Sequence, residues 1–191
     1  DDGNIIAIGN FFADKNGNNS GTALVYKYQS VGSSWVQLGQ SIHGESANDE
    51  SGMSISISGD GTTLAIGANK NKNKENGIRD GHVRIYKNNS GTWEKIGADI
   101  DAKNIRDDFG WALALSSDGK RVVVGAPRFA DVSNNDIKST VRVYENNSGD
   151  WQQIGADIKD KHASKKSNIG HSVDISADGK IIAFGAHDNG N

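Results

Sequence analysis

The stretch Leu113-Ala-Leu-Ser-Ser-Asp-Gly-Lys-Arg-Val-Val-Val-Gly-Ala-Pro127 reads as two short apolar strands joined by an Asp-Gly turn. Its Asp118-Gly119 pair has counterparts at Asp2-Gly3, Asp60-Gly61 and Asp178-Gly179, spaced 58, 58 and 60 residues apart, so the chain is a tandem repeat. Alternation sets Trp111, Leu113 and Leu115 on one side of the first strand, as it does Met53, Ile55 and Ile57, and His171, Val173 and Ile175. After the turn, Val122 and Val124 match Ile6 and Ile8, Leu64 and Ile66, and Ile182 and Phe184. A glycine always follows (Gly125, Gly9, Gly67, Gly185), which predicts a bulge or a close backbone approach that a side chain would block.

Two more strands complete each unit. The third runs over Ala23 to Tyr28, His82 to Tyr86 and Thr140 to Tyr144, and the fourth over Trp35 to Ile42, Trp93 to Ile100 and Trp151 to Ile158. Tyr26, Tyr86 and Tyr144 are expected to face Trp35, Trp93 and Trp151 across that hairpin. Four antiparallel strands per unit of about 60 residues, with no helical periodicity, predict an all-β fold of β-propeller blades. The chain reads as a single propeller region, with repeats at 1–58, 59–116 and 117–176 and a partial repeat at 177–191. It opens on a second strand and closes on another copy of it, so the expectation is an arc of a larger propeller with unpaired apolar faces at both ends.

The residues Phe109-Gly110 followed by Gly125-Ala126-Pro127 resemble the FG-GAP repeat of integrin-type propellers, and Ser-x-Asp-Gly before an apolar strand resembles the turn of WD40 and TolB-like blades. The pattern is degenerate elsewhere: Ser51-Gly52 and Ile169-Gly170 stand for Phe-Gly, and Gly67-Ala68-Asn69 and Gly185-Ala186-His187 for Gly-Ala-Pro. The FG-GAP resemblance implies a calcium loop between the first two strands, but here that connection has shrunk to a hairpin around Asp-Gly. Such a turn, read as type I′, offers too few oxygens for an ion that takes about 6–8.

Asp14, Asn16 and Asn18, with Ser20, place alternate oxygen-bearing side chains in a loop and form the one calcium candidate; a solvated turn is the competing reading, and otherwise no cofactor is expected. Asn18, Asn88 and Asn146 each begin Asn-x-Ser and are candidate glycosylation sites, Asn88 and Asn146 on the hairpin before the fourth strand, where they are expected to be exposed. The five histidines lack metal-ligand spacing. Arg84 and Arg142 align with Leu24, which points to packing of their stems rather than a shared functional arginine. Lys70, Lys72 and Lys74, within Asn69 to Asn76, read as a solvated basic loop.

A net charge of −3 with both signs interspersed gives no footprint for nucleic acid, no apolar run reaches the roughly 20 residues of a membrane span, and cysteine is absent. The long, dissimilar loops Asn10 to Ser20, Asn69 to Asp80 and Pro127 to Ser139 share one face with the blade-to-blade connections. Those connections carry mixed charge, with Glu45, Asp49 and Glu50 in the first and Lys159, Lys161, Lys165 and Lys166 in the third. From these features the sequence predicts a non-catalytic extracellular or cell-surface module that binds protein or glycan partners through that face, or joins further blades of the same chain. A structural repeat unit is the first alternative. A propeller hydrolase or lyase comes last, for want of a catalytic motif.

Overall fold

The computed structural model describes residues 3–72, 77–104, 106–127, 139–159 and 168–187. Asp2, Lys74, most of the loop from Pro127 to Ser139, and Lys161, Lys165 and Lys166 lie outside these residues.

The architecture is all-β and antiparallel, a row of propeller blades. The first blade comprises β1 (Ile5–Asn10), β2 (Thr22–Gln29), β3 (Ser34–Gln37) and β4 (Ile42–His43). The second has β5 (Ser54–Ile57), β6 (Thr63–Ala68), β7 (His82–Asn89), β8 (Thr92–Lys95) and β9 (Ile100–Asp101). The third is β10 (Ala112–Leu115), β11 (Arg121–Ala126), β12 (Thr140–Asn147) and β13 (Asp150–Ile158); β14 (Asn168–Ile175) and β15 (Ile182–His187) begin a fourth. The fourth strand of the first two blades is broken around Gly39 and Gly97, unlike the single strands expected, whereas that of the third runs on through the equivalent Gly155. Beyond each break, β4 and β9 rejoin the sheet against β2 and β7. Among the described residues, no helix is long and apolar enough to cross a membrane.

Period-two alternation works here on both faces of a blade. Val122 and Val124 pack into a core shared with Ala65, Val83 and Ile85 of the second blade, whereas Val123 faces Ile169 and Ile175 of the fourth. A second core joins Ala23, Val25 and Ile42 to Leu64, Ile66 and Trp93. Central blades thus bury both faces, which is why every residue of β6 is buried. At the two ends the sheets are open: Ile6, Ile8, Ile181 and Phe184 are exposed.

The recurring glycine does mark a close approach. A Cβ on Gly67 would stand 2.2 Å from the Gly110 carbonyl oxygen, and one on Gly125 2.0 Å from that of Gly170. On the opposite face, neighbouring Asp-Gly turns are tied to one another, Gly59 N–H to the Ser117 carbonyl and Ser117 N–H to the Ala177 carbonyl.

Two local expectations are corrected. The Asp-Gly turn is not type I′, since Asp60 and Asp118 lack positive φ and Gly61 and Gly119 alone adopt it. The Asp instead accepts from inside a longer loop: Asp118 Oδ1 takes Ser116 Oγ–H at 2.7 Å and Lys120 N–H at 3.0 Å, and Asp60 does the same with Ser58 and Thr62. Consecutive positive φ values fall at Ser90-Gly91 and Ser148-Gly149 instead. The aromatic pairs are also shifted, for Tyr86 faces Lys95 and Asn88 faces Trp93. Trp93 turns to the preceding blade, donating its indole N–H to the Leu38 carbonyl at 2.8 Å; Tyr28 and Trp35 do meet, with centroids 5.4 Å apart.

Candidate functional site

The loop face is built on a repeated ionic frame that sequence alignment of Arg84 and Arg142 with Leu24 obscures. Asp107, on the connection into the third blade, receives Arg142 Nη1 at 2.9 Å with neither side chain exposed, and Asp157 Oδ1 stands 3.1 Å from Arg142 Nε. Arg142 also lies over the Phe109 ring, 5.6 Å from its centroid. The equivalent residues one repeat earlier are Asp49, Arg84 and Asp99. Arg84 donates to the His43 carbonyl at 3.1 Å and Ser51 Oγ at 3.3 Å, and its charge acts on Asp49. The arginines are therefore buried ionic partners rather than packing stems. The connection carries the same backbone in both repeats: Asn48 and Glu50, like Arg106 and Asp108, adopt left-handed φ.

On this frame the second blade departs from the third. Glu45 on the connection, His82 at the start of β7 and Asp99 just before β9 each bring one ligand-type atom within 4.8 Å of the other two. His82 Nδ1 is 3.7 Å from Asp99 Oδ2, Lys95 Nζ is 2.6 Å from Asp99 Oδ1, and Arg84 Nη1 is 3.9 Å from Glu45 Oε1. Burial pushes the Asp99 carboxyl up, but the Lys95 hydrogen bond and the charges of His82, Lys95 and Arg84 outweigh it and hold the carboxyl below its ordinary range. Glu45 is exposed, Asp99 half-buried and His82 buried, so the group runs inward from the surface of the loop face. The third blade has Lys103, Thr140 and Asp157 at these positions, and Thr22 matches His82 in the first. Spacing along the chain gives no hint of the group; comparing equivalent positions between repeats would have exposed Glu45 and His82 as the departures.

The residues singled out from sequence lie elsewhere. Asp14 Oδ1 accepts Asn19 N–H at 2.8 Å, Asn16 Nδ2 donates to the Gly44 carbonyl at 2.7 Å, and the Asn18 carbonyl accepts Asn48 N–H at 2.8 Å, so this loop is pinned to the blade connection by its polar groups. Asn88 and Asn146 are half-buried rather than exposed, because their Oδ1 atoms cap Gly91 and Gly149 N–H groups at 2.9 and 2.7 Å. Asn88 Nδ2, the atom a glycan would occupy, is buried. Of the basic loop, Lys70 forms a 2.6 Å ion pair with Glu50.

No family model matches the chain, and no curated protein matches it. Among solved structures it is similar to the periplasmic gluconolactonase PpgL of Pseudomonas aeruginosa, with TM-score 0.57 and 17% identity over 96% of this chain and 47% of that one. It also resembles a protein of Bacteroides fragilis assigned as a 6-phosphogluconolactonase (TM-score 0.54, 19% identity, 97% of this chain and 40% of that one). A Bacteroides uniformis protein with the same assignment has TM-score 0.55 and 16% identity over 88% of this chain and 42% of that one. The chain thus spans less than half the length of these structures.

A propeller-like fold is what these similarities establish; the FG-GAP type is not shown by them. They also overturn the expectation of a non-catalytic binding or scaffold module. The structures that share the fold over nearly the whole chain carry the names of lactone-hydrolysing enzymes, and the catalytic motif missing from the sequence is no measure of what separate strands bring together.

Proposed function

We propose that the chain belongs to a hydrolytic β-propeller that opens a sugar-derived lactone at the loop face of its second blade. The observation that carries this reading is the convergence of Glu45, His82 and Asp99 beside the buried Arg84 guanidinium. Hydrolysis needs a water relieved of its proton as it attacks the lactone carbonyl, and positive charge where the carbonyl oxygen becomes negative. The three proton-accepting groups surround a place for that water, and Arg84 supplies the charge. Attack forms the new carbon–oxygen bond, and collapse of the intermediate breaks the ring ester bond. The departing ring oxygen takes up a proton, leaving a hydroxy acid. The names of the similar structures suggest gluconolactone and its 6-phosphate as substrates.

We further propose that residues 1–191 form one propeller region, with repeats 1–58, 59–116 and 117–176 and a partial repeat 177–191, joined by further blades of the same polypeptide. The exposed Ile6, Ile8, Ile181 and Phe184 support that completion. The FG-GAP type of the repeat rests on Phe109-Gly110 and Gly125-Ala126-Pro127. A location outside the cytoplasm accords with the periplasmic neighbour.

The test is proton release from gluconolactone and 6-phosphogluconolactone at constant pH, with and without the protein. Turnover well above spontaneous ring opening is expected for one of the two. Rates equal to the protein-free control for both would overturn the proposal.

A further inference from the structure

We infer that Glu45, His82 and Asp99 bind a divalent transition-metal ion, zinc in preference to calcium. The inference rests on the same residues as the proposed hydrolytic site and would supply its attacking water through the ion.

Geometry supports it first. Ligands at about 2.0–2.2 Å around a tetrahedral ion stand about 3.3–3.6 Å from one another. His82 Nδ1 and Asp99 Oδ2 are 3.7 Å apart, and one Glu45 oxygen completes a group within 4.8 Å, so small side-chain shifts close the set. One imidazole nitrogen with two carboxylate oxygens suits zinc and its first-row neighbours, whereas calcium takes about 6–8 oxygens. Three protein ligands leave a fourth position for water, whose pKa zinc lowers to about 7. Lys95 engages Asp99 Oδ1 and leaves Oδ2 towards His82, the outer hydrogen bonding that orients a ligating carboxylate.

The comparison between blades is the independent support. The scaffold retains Asp49 and Asp107, Arg84 and Arg142, and Asp99 and Asp157 in equivalent places. Where the third blade has the cation Lys103, whose charge acts on Asp157, and the hydroxyl of Thr140, the second has the carboxylate of Glu45 and the imidazole of His82. The blade fold does not need that pair, since the third blade forms without it. Their effect is to set a second carboxylate and an imidazole nitrogen within 4.8 Å of an Asp99 oxygen, three donors of the kind that share one ion.

The experiment is isothermal titration of the EDTA-stripped, untagged protein with zinc chloride, with bound zinc counted by elemental analysis after dialysis. One ion per chain with a micromolar or tighter Kd is expected, weakened at least tenfold by E45Q and by H82Q. Glu45 is exposed, so E45Q keeps the test valid should H82Q fail to fold. Cobalt(II) in place of zinc should give visible absorption bands that E45Q abolishes. Absence of stoichiometric zinc, or binding unchanged in E45Q, would overturn the inference. Zinc bound without lactone turnover would uphold the metal site while removing the hydrolytic reading; turnover insensitive to EDTA, with no zinc bound, would do the reverse.

Discussion

Arg142 Nη1 lies 2.9 Å from Asp107 Oδ2 with both side chains fully enclosed, an ion pair that locks the connection between the second and third blades onto the third strand of the third. Its stabilising effect lies less in the pair itself than in what remains when one partner is lost, because desolvating two charges offsets most of their attraction. Asp107→Ala should destabilise the chain by about 3–5 kcal/mol. Denaturant unfolding measures this, and a loss below about 1 kcal/mol would mean that Asp157 alone satisfies Arg142.

Gly67 has an ordinary negative φ, so Gly67→Ala tests contact rather than backbone conformation. With the Gly110 carbonyl 2.2 Å from the new methyl group, blades two and three must separate locally, at a cost of about 1–3 kcal/mol. Thermal unfolding should show a lower midpoint, whereas a midpoint equal to the parent's would mean the blades are not apposed there.

Tyr144 is held at the core edge, and burial pushes its phenol up to about 12. Burial also pushes the Tyr86 phenol up, so ultraviolet titration of the tyrosines should show a late phase that loses its Tyr144 part in Tyr144→Phe. If every tyrosine ionised by pH 10.5, which is close to the ordinary value of about 10, the enclosure of Tyr144 would be wrong.

Acid should weaken the turns. Hydrogen bonds from Ser176 and from Lys180 N–H hold the Asp178 carboxyl below its ordinary range, and in Asp118 burial pushes the carboxyl up but the bonds from Lys120 N–H and Ser116, with the charges of Lys120 and Arg121, together outweigh it. A folded pKa below the unfolded one gives stability that is fully present above the unfolded value and is lost as pH falls through the folded value. The unfolding midpoint should therefore decline below about pH 4, and Asp118→Asn should decline less.

The four-stranded repeat and the packing of Leu64, Val122 and Val124 were legible because period-two alternation and a fixed spacing survive in any sequence that builds identical blades. Turn type was misread at Asp118, where the carboxylate's appetite for local N–H donors decides the loop ahead of the Asp-Gly preference. The aromatic pairing failed because Trp93 gains a hydrogen bond on the neighbouring blade, a contact that pairing within one hairpin cannot reveal. Glu45, His82 and Asp99 come from a blade connection, the start of β7 and the segment before β9, so their meeting depends on the path of the chain and leaves no spacing to read.

On the proposed reading, the departure of the second blade from its neighbours makes a ligand site on the loop face. Heteronuclear NMR of the EDTA-treated protein, titrated with gluconate as the product of lactone opening, tests it most directly. Saturable shifts are expected at the His82 imidazole and at the amides of Glu45, Arg84 and Asp99, with the equivalent Lys103, Thr140 and Asp157 unmoved. Shifts confined to Trp111, just before β10, and His171 of β14, whose rings stand 5.5 Å apart, or no saturable shift at all, would contradict it.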